Sequence, residues 1–424
     1  MPPITVAVDA NGADLGPAEV AAGAALAAEQ GVRVLLFGPK GAIGPTPGGV
    51  EVVDAPVSIA KAPDPALAVR STPDASIVLA SKAVADGRAY ALVSGGSTGA
   101  ALAAGLFHVK RARGIHRPAL AIAMPVPGAR VLLLDVGASV EVRPDHLVQF
   151  AYMGAAFSQA VLGVERPRVA LLSNGEEPER GTPDVIAAHQ RLAAAGGRLN
   201  FVGNVEGTQI TEGVADVVVM DGFTGNITIK LMEGVSGKLL RTIRDVAMAS
   251  PRGRLGGMLL RGPLRGLRDD IDPELAGGAY MLGLRRTGVV AHGRFTRTGF
   301  ARAIDVAARG VREDVVGRTL TALEEAGALR QAPSSEATAS VPAQLPAIRS
   351  SNACARTSPT SWRSTRQGST SRPASARTSR PTRSTSTRSC RSWRISIRSR
   401  SPTSRRRRSS RSARRSTSCS PPMA

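Results

Sequence analysis

The stretch Asp216–Gly234, DVVVMDGFTGNITIKLMEG, combines a buried strand, a glycine-rich turn and the start of a helix. Val217–Met220 is a short apolar run of the kind that forms a strand covered on both faces. The turn Asp221–Asn226 leads into a helical pattern with apolar residues at Ile227, Leu231, Val235 and Leu239. Free N–H groups and the helix dipole attract anions at such a helix start, and Lys230 lies one turn inside it. An anion site and an ordinary strand-to-helix turn are equally compatible with this spacing.

Strand and helix patterns alternate through the first 330 residues. Further strand-like runs are Ile4–Val8, Val32–Phe37, Ala89–Val93, Leu120–Met124, Val131–Asp135 and Val169–Leu172. Helical patterns occupy Ala18–Glu29, Ile77–Ala85, Pro144–Leu162 and Asp184–Ala195. This alternation predicts an α/β fold in which helices cover both faces of a parallel sheet.

Several predicted strands end in polar, glycine-containing turns. These turns are Asp9–Asp14, Ser94–Gly99, Asp135–Ala138, Ser173–Glu177 and Asp221–Asn226. Ligands of parallel α/β sheets collect at the carboxyl ends of the strands. We therefore predict that the five turns form one polar rim, the active-site edge of the sheet.

Composition divides the chain into a near-neutral body and a basic tail. The formal charge is +22, but twenty arginines lie in residues 349–424, which leaves about +2 for residues 1–348. The cysteines Cys354, Cys390 and Cys419 all lie in the tail, so the body has no thiolate nucleophile, disulfide or cysteine-based metal site. Neither a membrane span nor a signal-like segment is evident, which predicts a cytoplasmic protein.

The order of motifs resembles the bacterial phosphate acyltransferases of the PlsX family. The motifs are DxxGxD, SGGSTGA, RPALA, LDVGA, LVQFAYMG, NGEE, VEG, DGFTGNITIKLMEG, GGAxxLGL and AHG, spread over residues 4–326. The resemblance implies a Rossmann-like three-layer fold with a helical hairpin insertion, and a homodimer without a cofactor. It implies transfer of a long acyl group from acyl carrier protein to inorganic phosphate, the start of phospholipid synthesis, with a glycerol-3-phosphate acyltransferase downstream.

Two other classes of function stay open. One is a related enzyme that uses acyl-coenzyme A or a nucleotide, although the chain lacks GxGxxG after its first strand and also lacks GxxxxGK[ST]. The other is a basic nucleic-acid binder, which depends on the tail alone.

Phosphate is already a nucleophile at neutral pH, so the chemistry requires positioning and charge stabilisation more than a strong base. We expect Lys230 to neutralise charge and Asn226 to donate to the phosphate and the thioester oxyanion, and we expect Asn174 and Glu177 to orient the nucleophile or its counter-group. Phosphate and thioester would be bound by Ser94, Gly95, Gly96, Ser97, Thr98, Gly99, Thr224 and Gly225.

The remaining polar residues divide into turn carboxylates and histidines. Asp9, Asp135 and Asp221 are expected to close their own turns, as Asp often does. His292 is either a proton relay or a packed core histidine, and the sequence slightly favours packing. The other histidines (His108, His116, His146 and His189) show no convergent partners, so no metal site is expected.

Four departures separate this chain from the family pattern. Serine stands at Ser97 and Ser139, where relatives usually have asparagine, and Arg180 stands where lysine is common. Residues 293–297, GRFTR, differ from the usual Ser/Asp-rich loop. Serine still donates and accepts hydrogen bonds, so loss of activity does not follow from these departures.

Residues 248–286 interleave leucine and methionine with arginine. This pattern suits a membrane surface or an acidic protein partner, and equally a helical hairpin at a dimer contact. The resemblance favours a peripheral membrane and acyl-carrier contact.

The tail, residues 331–424, has an Arg/Ser-rich composition typical of disordered or nucleic-acid-binding segments. We favour a third interpretation, an out-of-frame translation of a neighbouring gene. With permitted third bases, a one-base shift turns residues 381–390 into DSLDLYEVV, which resembles the phosphopantetheine site of an acyl carrier protein. The nucleotide sequence decides this: a shifted phase with stop codons, or without DSL, excludes the hypothesis.

Overall fold

The fold is an α/β sandwich around one twisted sheet. The computed structural model describes residues 3–126, 128–262, 266 and 273–330. The strands in these residues are β1 Thr5–Asp9, β2 Arg33–Gly38, β3 Val50–Asp54, β4 Ala91–Ser94, β5 Ala119–Val126, β6 Ala129–Leu134, β7 Val169–Leu172, β8 Phe201–Val205, β9 Val217–Val219, β10 Ala279–Leu282 and β11 Thr287–Val290. Their order across the sheet is β3-β2-β1-β4-β11-β10-β5-β6-β9-β7-β8.

Helices cover both faces of this sheet. They are α1 Pro17–Glu29, α2 Lys40–Ile43, α3 Pro65–Ser71, α4 Ser76–Ala85, α5 Thr98–Ala104, α6 Pro144–Phe157, α7 Pro183–Ala193, α8 Gly207–Ile210, α9 Gly222–Met248, α10 Pro251–Leu259, α11 Pro273–Ala276, α12 Arg297–Arg312 and α13 Val315–Glu325. Short π-helical turns, Gly105–Val109 and Ser158–Leu162, continue α5 and α6. One apolar core lies between the sheet and α1, α6, α12 and α13, and the second lies beneath α3, α4 and α5 and the first turns of α9. The predicted three-layer α/β fold is therefore confirmed.

The sheet is not parallel throughout, and here the prediction is wrong. Strands β3, β2, β1, β4 and β11 run parallel, and β6, β9, β7 and β8 form a second parallel group. Between the groups, β10 is antiparallel to both β11 and β5, and β5 is antiparallel to β6. Only two residues separate Val126 from Ala129, and a connection that short can join only antiparallel neighbours. The two groups consequently point in opposite directions.

All seven predicted strands are present, and four strands went unpredicted. The four are β3, β8, β10 and β11, which have five or fewer residues each. Runs this short show little hydrophobic periodicity, so the sequence pattern does not predict a strand at these positions.

The segment predicted at 248–286 is divided in the structure. Its start contains the end of α9 and all of α10, whereas Ala279–Leu282 is the central strand β10. Within the described residues, no helix combines the length and the hydropathy needed to cross a membrane. The Arg/Ser-rich tail predicted at 331–424 lies outside the described residues.

Candidate active site

The turn after β9 closes on itself through Asp221. The backbone N–H of Thr224 donates to Oδ1 of Asp221 (2.8 Å), and the Thr224 hydroxyl donates to Oδ2 (2.7 Å). The N–H of Gly222 donates to the carbonyl of Ser139 (2.8 Å). Most of the first backbone N–H groups of α9 therefore donate to acceptors within the protein. They are not free to bind an anion, in contrast to the anion site considered for this helix start.

Asp135 organises the turn that faces α9. Its buried carboxylate accepts backbone N–H bonds from Leu120 (2.9 Å), Gly137 (3.1 Å), Ala138 (3.0 Å) and Ser139 (2.8 Å). Burial raises the pKa of Asp135, and the four N–H donors oppose that rise. These bonds fix the turn so that Gly137 faces the first turns of α9.

The Ser94–Gly99 loop is held from below. Buried Ser94 donates to Oδ2 of Asp9 (2.8 Å) and accepts the N–H of Gly96 (3.2 Å). Ser97 caps α5 by accepting the N–H of Ala100 (3.4 Å). The hydroxyl groups of Ser94 and Ser97 are therefore bonded within the protein. Thr98 and Gly99, at the start of α5, follow this loop.

His292 follows β11 and is exposed, so the prediction of a packed core histidine is wrong. The N–H of Arg294 donates to its Nδ1 (3.3 Å), and therefore a neutral His292 carries its proton on Nε2. Its ring stacks on Phe295, with 6.1 Å between centroids. The N–H of Ala291 donates to the carbonyl of Ser94 (2.9 Å), which ties this loop to the Ser94–Gly99 loop.

These parts surround one cleft of about 360 Å³. Its floor is the middle of the sheet, formed by Leu120, Ile122, Ala279 and Val290. Thr98 and Gly99 of α5 form one wall. The facing wall is α9, through Asn226, Ile229, Lys230 and Glu233, and the ends are closed by Val136, Gly137, Gly278, Ala291, His292 and Phe295. Among the described residues that line it, Lys230 is the one lysine or arginine.

The opposed strand groups explain why the five turns do not form one rim. The turns after β1 and β4 lie at one edge of the sheet, and those after β6, β7 and β9 at the opposite edge. The cleft instead crosses the central strands on one face of the sheet, where α5 of the first group faces α9 of the second. The predicted rim is therefore wrong, although parts of three of its turns reach the cleft.

Five predicted residues reach this cleft: Thr98, Gly99, Asn226, Lys230 and His292. Asn174 and Glu177 do not, because β9 lies between their strand and β6. Glu177 instead forms an exposed ion pair with Arg180 (3.5 Å). Ser94, Gly95, Gly96 and Ser97 lie in the loop behind the wall, and Thr224 and Gly225 lie in the capping turn.

Glu233 and Ile229 line the cleft without having been predicted. The spacing could have predicted both residues, because residues 226, 229, 230 and 233 share one helix face. The floor residues of β10 and β11 carried no such signal, since neither strand was predicted. No cluster of three or more His, Cys, Asp or Glu side chains in the described part of the chain has a metal-binding arrangement.

The sequence of this chain is similar to those of known proteins. A family model described as "Fatty acid synthesis protein" matches residues 4–318. A phosphate acyltransferase from Pelotomaculum thermopropionicum is 41% identical over 322 residues, which is 74% of this chain and 92% of the relative. The phosphate acyltransferase of Heliobacterium modesticaldum is 41% identical over 320 residues, 73% of this chain and 95% of the relative. Among solved structures, a phosphotransacetylase from Streptococcus pyogenes matches with a TM-score of 0.49 and 17% identity, over 73% of this chain and 94% of that one.

Proposed function

The chain belongs to the phosphate acyltransferase family, and on that premise we propose that it transfers a long-chain acyl group from acyl carrier protein to inorganic phosphate. Acyl transfer to phosphate for phospholipid synthesis is the activity of the family. We propose in addition that the acyl donor is bound to acyl carrier protein. We assign the reaction to a catalytic domain of residues 1–330.

One observation supports this proposal most strongly: Lys230 and Asn226 face Thr98 and Gly99 across an apolar floor. A cation, an amide and a hydroxyl suit a phosphate and a developing oxyanion. The apolar floor suits the first carbons of an acyl chain. The cleft thus has one polar and one apolar surface, as the two substrates require.

In the proposed step a phosphate oxygen attacks the thioester carbonyl carbon, and the C–S bond breaks. Hydrogen phosphate supplies the proton that the departing thiolate needs, so charge and atoms balance without a redox partner. Lys230 and Asn226 stabilise the negative charge, and the Thr98 hydroxyl and Gly99 N–H position the phosphate. His292 moves the proton towards sulfur. Asn174 and Glu177 are not assigned a role because they lie outside the cleft.

The donor is tested with the full chain, inorganic phosphate and either palmitoyl-acyl carrier protein or palmitoyl-coenzyme A. We expect phosphate-dependent loss of the carrier thioester, with the acyl phosphate trapped by hydroxylamine. A higher kcat/KM with the coenzyme A donor would instead support the alternative acyl-coenzyme A enzyme. No phosphate-dependent loss from either donor, with folded protein, would contradict the whole proposal.

Helix α9 carries an apolar stripe that suits a homodimer contact. Its exposed residues follow a four-residue spacing: Phe223, Ile227, Leu231, Val235 and Leu239. Their exposed fractions lie between 49% and 63%, an unusual amount of apolar surface for one helix. We assign this stripe to the contact with a second copy of the chain.

Helix α10 suits a peripheral membrane contact. Leu255, Met258 and Leu259 are 60%, 67% and 76% exposed, and arginines flank them at Arg252 and Arg254. Apolar side chains beside arginines bind anionic lipid surfaces by burial and charge together. A membrane contact would place the acyl phosphate near the bilayer, where a downstream glycerol-3-phosphate acyltransferase uses it.

Two double variants separate these contacts. We expect Leu231→Glu with Leu239→Glu to halve the mass measured by analytical ultracentrifugation, because two carboxylates would be buried at the dimer contact. Leu255→Glu with Leu259→Glu is expected to leave the mass unchanged and abolish cosedimentation with phosphatidylglycerol vesicles.

Each double variant is the control for the other. A stripe variant of unchanged mass would contradict the dimer assignment. An α10 variant that still binds the vesicles would contradict the membrane assignment. Vesicle binding is measured at two salt concentrations, since charge attraction weakens with salt.

A further inference from the structure

A buried polar cluster lies behind the α5 wall of the cleft. Oδ1 of Asp9 accepts the hydroxyl of Ser76 (2.6 Å) and the N–H of Asn11 (3.2 Å), and Oδ2 accepts the hydroxyl of Ser94 (2.8 Å). The Asn11 amide in turn donates to Oγ of Ser76 (2.9 Å) and to the Ala55 carbonyl (3.0 Å). The mechanism above does not use this cluster.

Asp9 is a buried carboxylate without a cationic partner among the described residues. It is only 3% exposed, and it forms no ion pair with the lysines, arginines and histidines that the structure describes. The groups that face it are the Ser94 hydroxyl from β4, the Ser76 hydroxyl from α4, and Asn11 from its own turn, all of them uncharged. Burying a charge in this way is costly, so stability alone does not account for an acid here.

One hydrogen-bond path connects Asp9 with the cleft wall. Ser94 has a single hydroxyl proton, which it donates to Asp9, and this orients an oxygen lone pair towards the N–H of Gly96 (3.2 Å). Gly96 lies two residues before Thr98, which lines the cleft. The ionised carboxylate therefore selects one orientation of Ser94, and that orientation holds the loop.

We propose that Asp9 is a positioning residue, which acts through Ser94 and Gly96 to hold Thr98 and Gly99 in place for phosphate. The inference rests on the proposed function, in which Thr98 and Gly99 contact that substrate. Oδ1 of Asp9 accepts two hydrogen bonds and Oδ2 accepts only the one from Ser94, so protonation takes place on Oδ2. Oδ2 then becomes a donor, the Ser94 hydroxyl loses its fixed acceptor, and the loop loosens.

The pH range follows from burial. Burial raises the pKa of Asp9 to about 6, opposed by the hydrogen bonds from Ser76, Ser94 and Asn11. Asp9 is ionised above this pH and neutral below it. The advantage that Asp9 confers should accordingly be present at pH 8 and disappear as the pH falls through about 6.

The test compares the full-length wild type with Asp9→Asn, whose amide has nearly the same shape and no charge. At pH 8 we expect kcat/KM for phosphate to fall about tenfold or more, since misplacing a binding group costs up to about a hundredfold. The KM of the acyl donor should not change. The ratio of wild type to variant should approach one at pH 5, and taking the ratio cancels the titration of phosphate itself.

Ser76→Ala is the second variant in this test. It leaves Asp9 and the hydrogen bonds from Asp9 through Ser94 to Gly96 in place. It removes a hydrogen bond that lowers the pKa of Asp9, so the acidic limb of its rate profile should move to higher pH. Its rate at pH 8 should stay near that of the wild type. If thermal unfolding shows that Asp9→Asn does not fold, the shift of the acidic limb in Ser76→Ala is sufficient to test the role of Asp9.

Two results would overturn the inference: a wild-type to Asp9→Asn ratio that is constant from pH 5 to 8, or an acidic limb that Ser76→Ala leaves in place. Both are readable only when the wild type shows phosphate-dependent acyl transfer. An inactive but folded wild type would instead count against the proposed function.

Discussion

Lys230→Met is expected to lower kcat/KM for acyl transfer about a hundredfold, and up to a thousandfold, which is roughly 3–4 kcal/mol of transition-state stabilisation. Among the described residues that line the cleft, Lys230 supplies the only lysine or arginine charge, and it lies one helical turn from Asn226. Negative charge develops on the thioester oxygen and on sulfur as phosphate attacks. Methionine keeps the length of the side chain and removes the charge, so the loss reports on electrostatics.

The measurement is hydroxylamine-trapped acyl phosphate under kcat/KM conditions. Lys238→Met is the matched control, since Lys238 lies two turns further along α9 and does not line the cleft. It should retain the wild-type rate. Lys230→Arg should recover part of the rate by restoring the charge in a different shape. Equal rates for both methionine variants would remove Lys230 from the mechanism.

The strand-to-helix unit from Val217 to Lys230 was predictable because its signals are local. Three consecutive valines, an Asp cap and helical spacing all occur within one short stretch. The direction of the strands could not be predicted in this way, because it does not depend on one local stretch. The antiparallel seam depends on the tight β5–β6 connection and on β10, whose four residues are too few to show a strand period.

The same distinction between local and topological information applies to the site. Asn226 and Lys230 were found because one helix carries both of them. Asn174 and Glu177 were placed in the site by assuming that all the turns meet, but β9 separates their strand from β6, so they do not reach the cleft even though they share an edge with the turns after β6 and β9. Of the five turns that the motifs identified, three reach the cleft, and which of them face each other depends on topology.

Gly225→Ala is expected to destabilise the protein by about 3 kcal/mol or more, which lies at the upper end of overpacking costs. A Cβ at Gly225 would overlap the carbonyl oxygen of Asp135 and would lie 3.0 Å from Cα of Val136. Both are backbone atoms of a turn that the four N–H bonds to Asp135 hold rigid, so neither side can move cheaply. The start of α9 must then shift away from the turn.

Because Asn226 and Lys230 follow directly, that shift should also remove activity in the protein that remains folded. Thermal unfolding should show a fall of roughly 4 °C or more in the midpoint. Gly234→Ala is the control on the same helix, since a Cβ there has no atom within 4 Å. It should stabilise the helix by up to about 1 kcal/mol, as alanine does in place of glycine. If Gly225→Ala matched Gly234→Ala in stability and rate, the close contact between α9 and the Asp135 turn would not be what positions the catalytic wall.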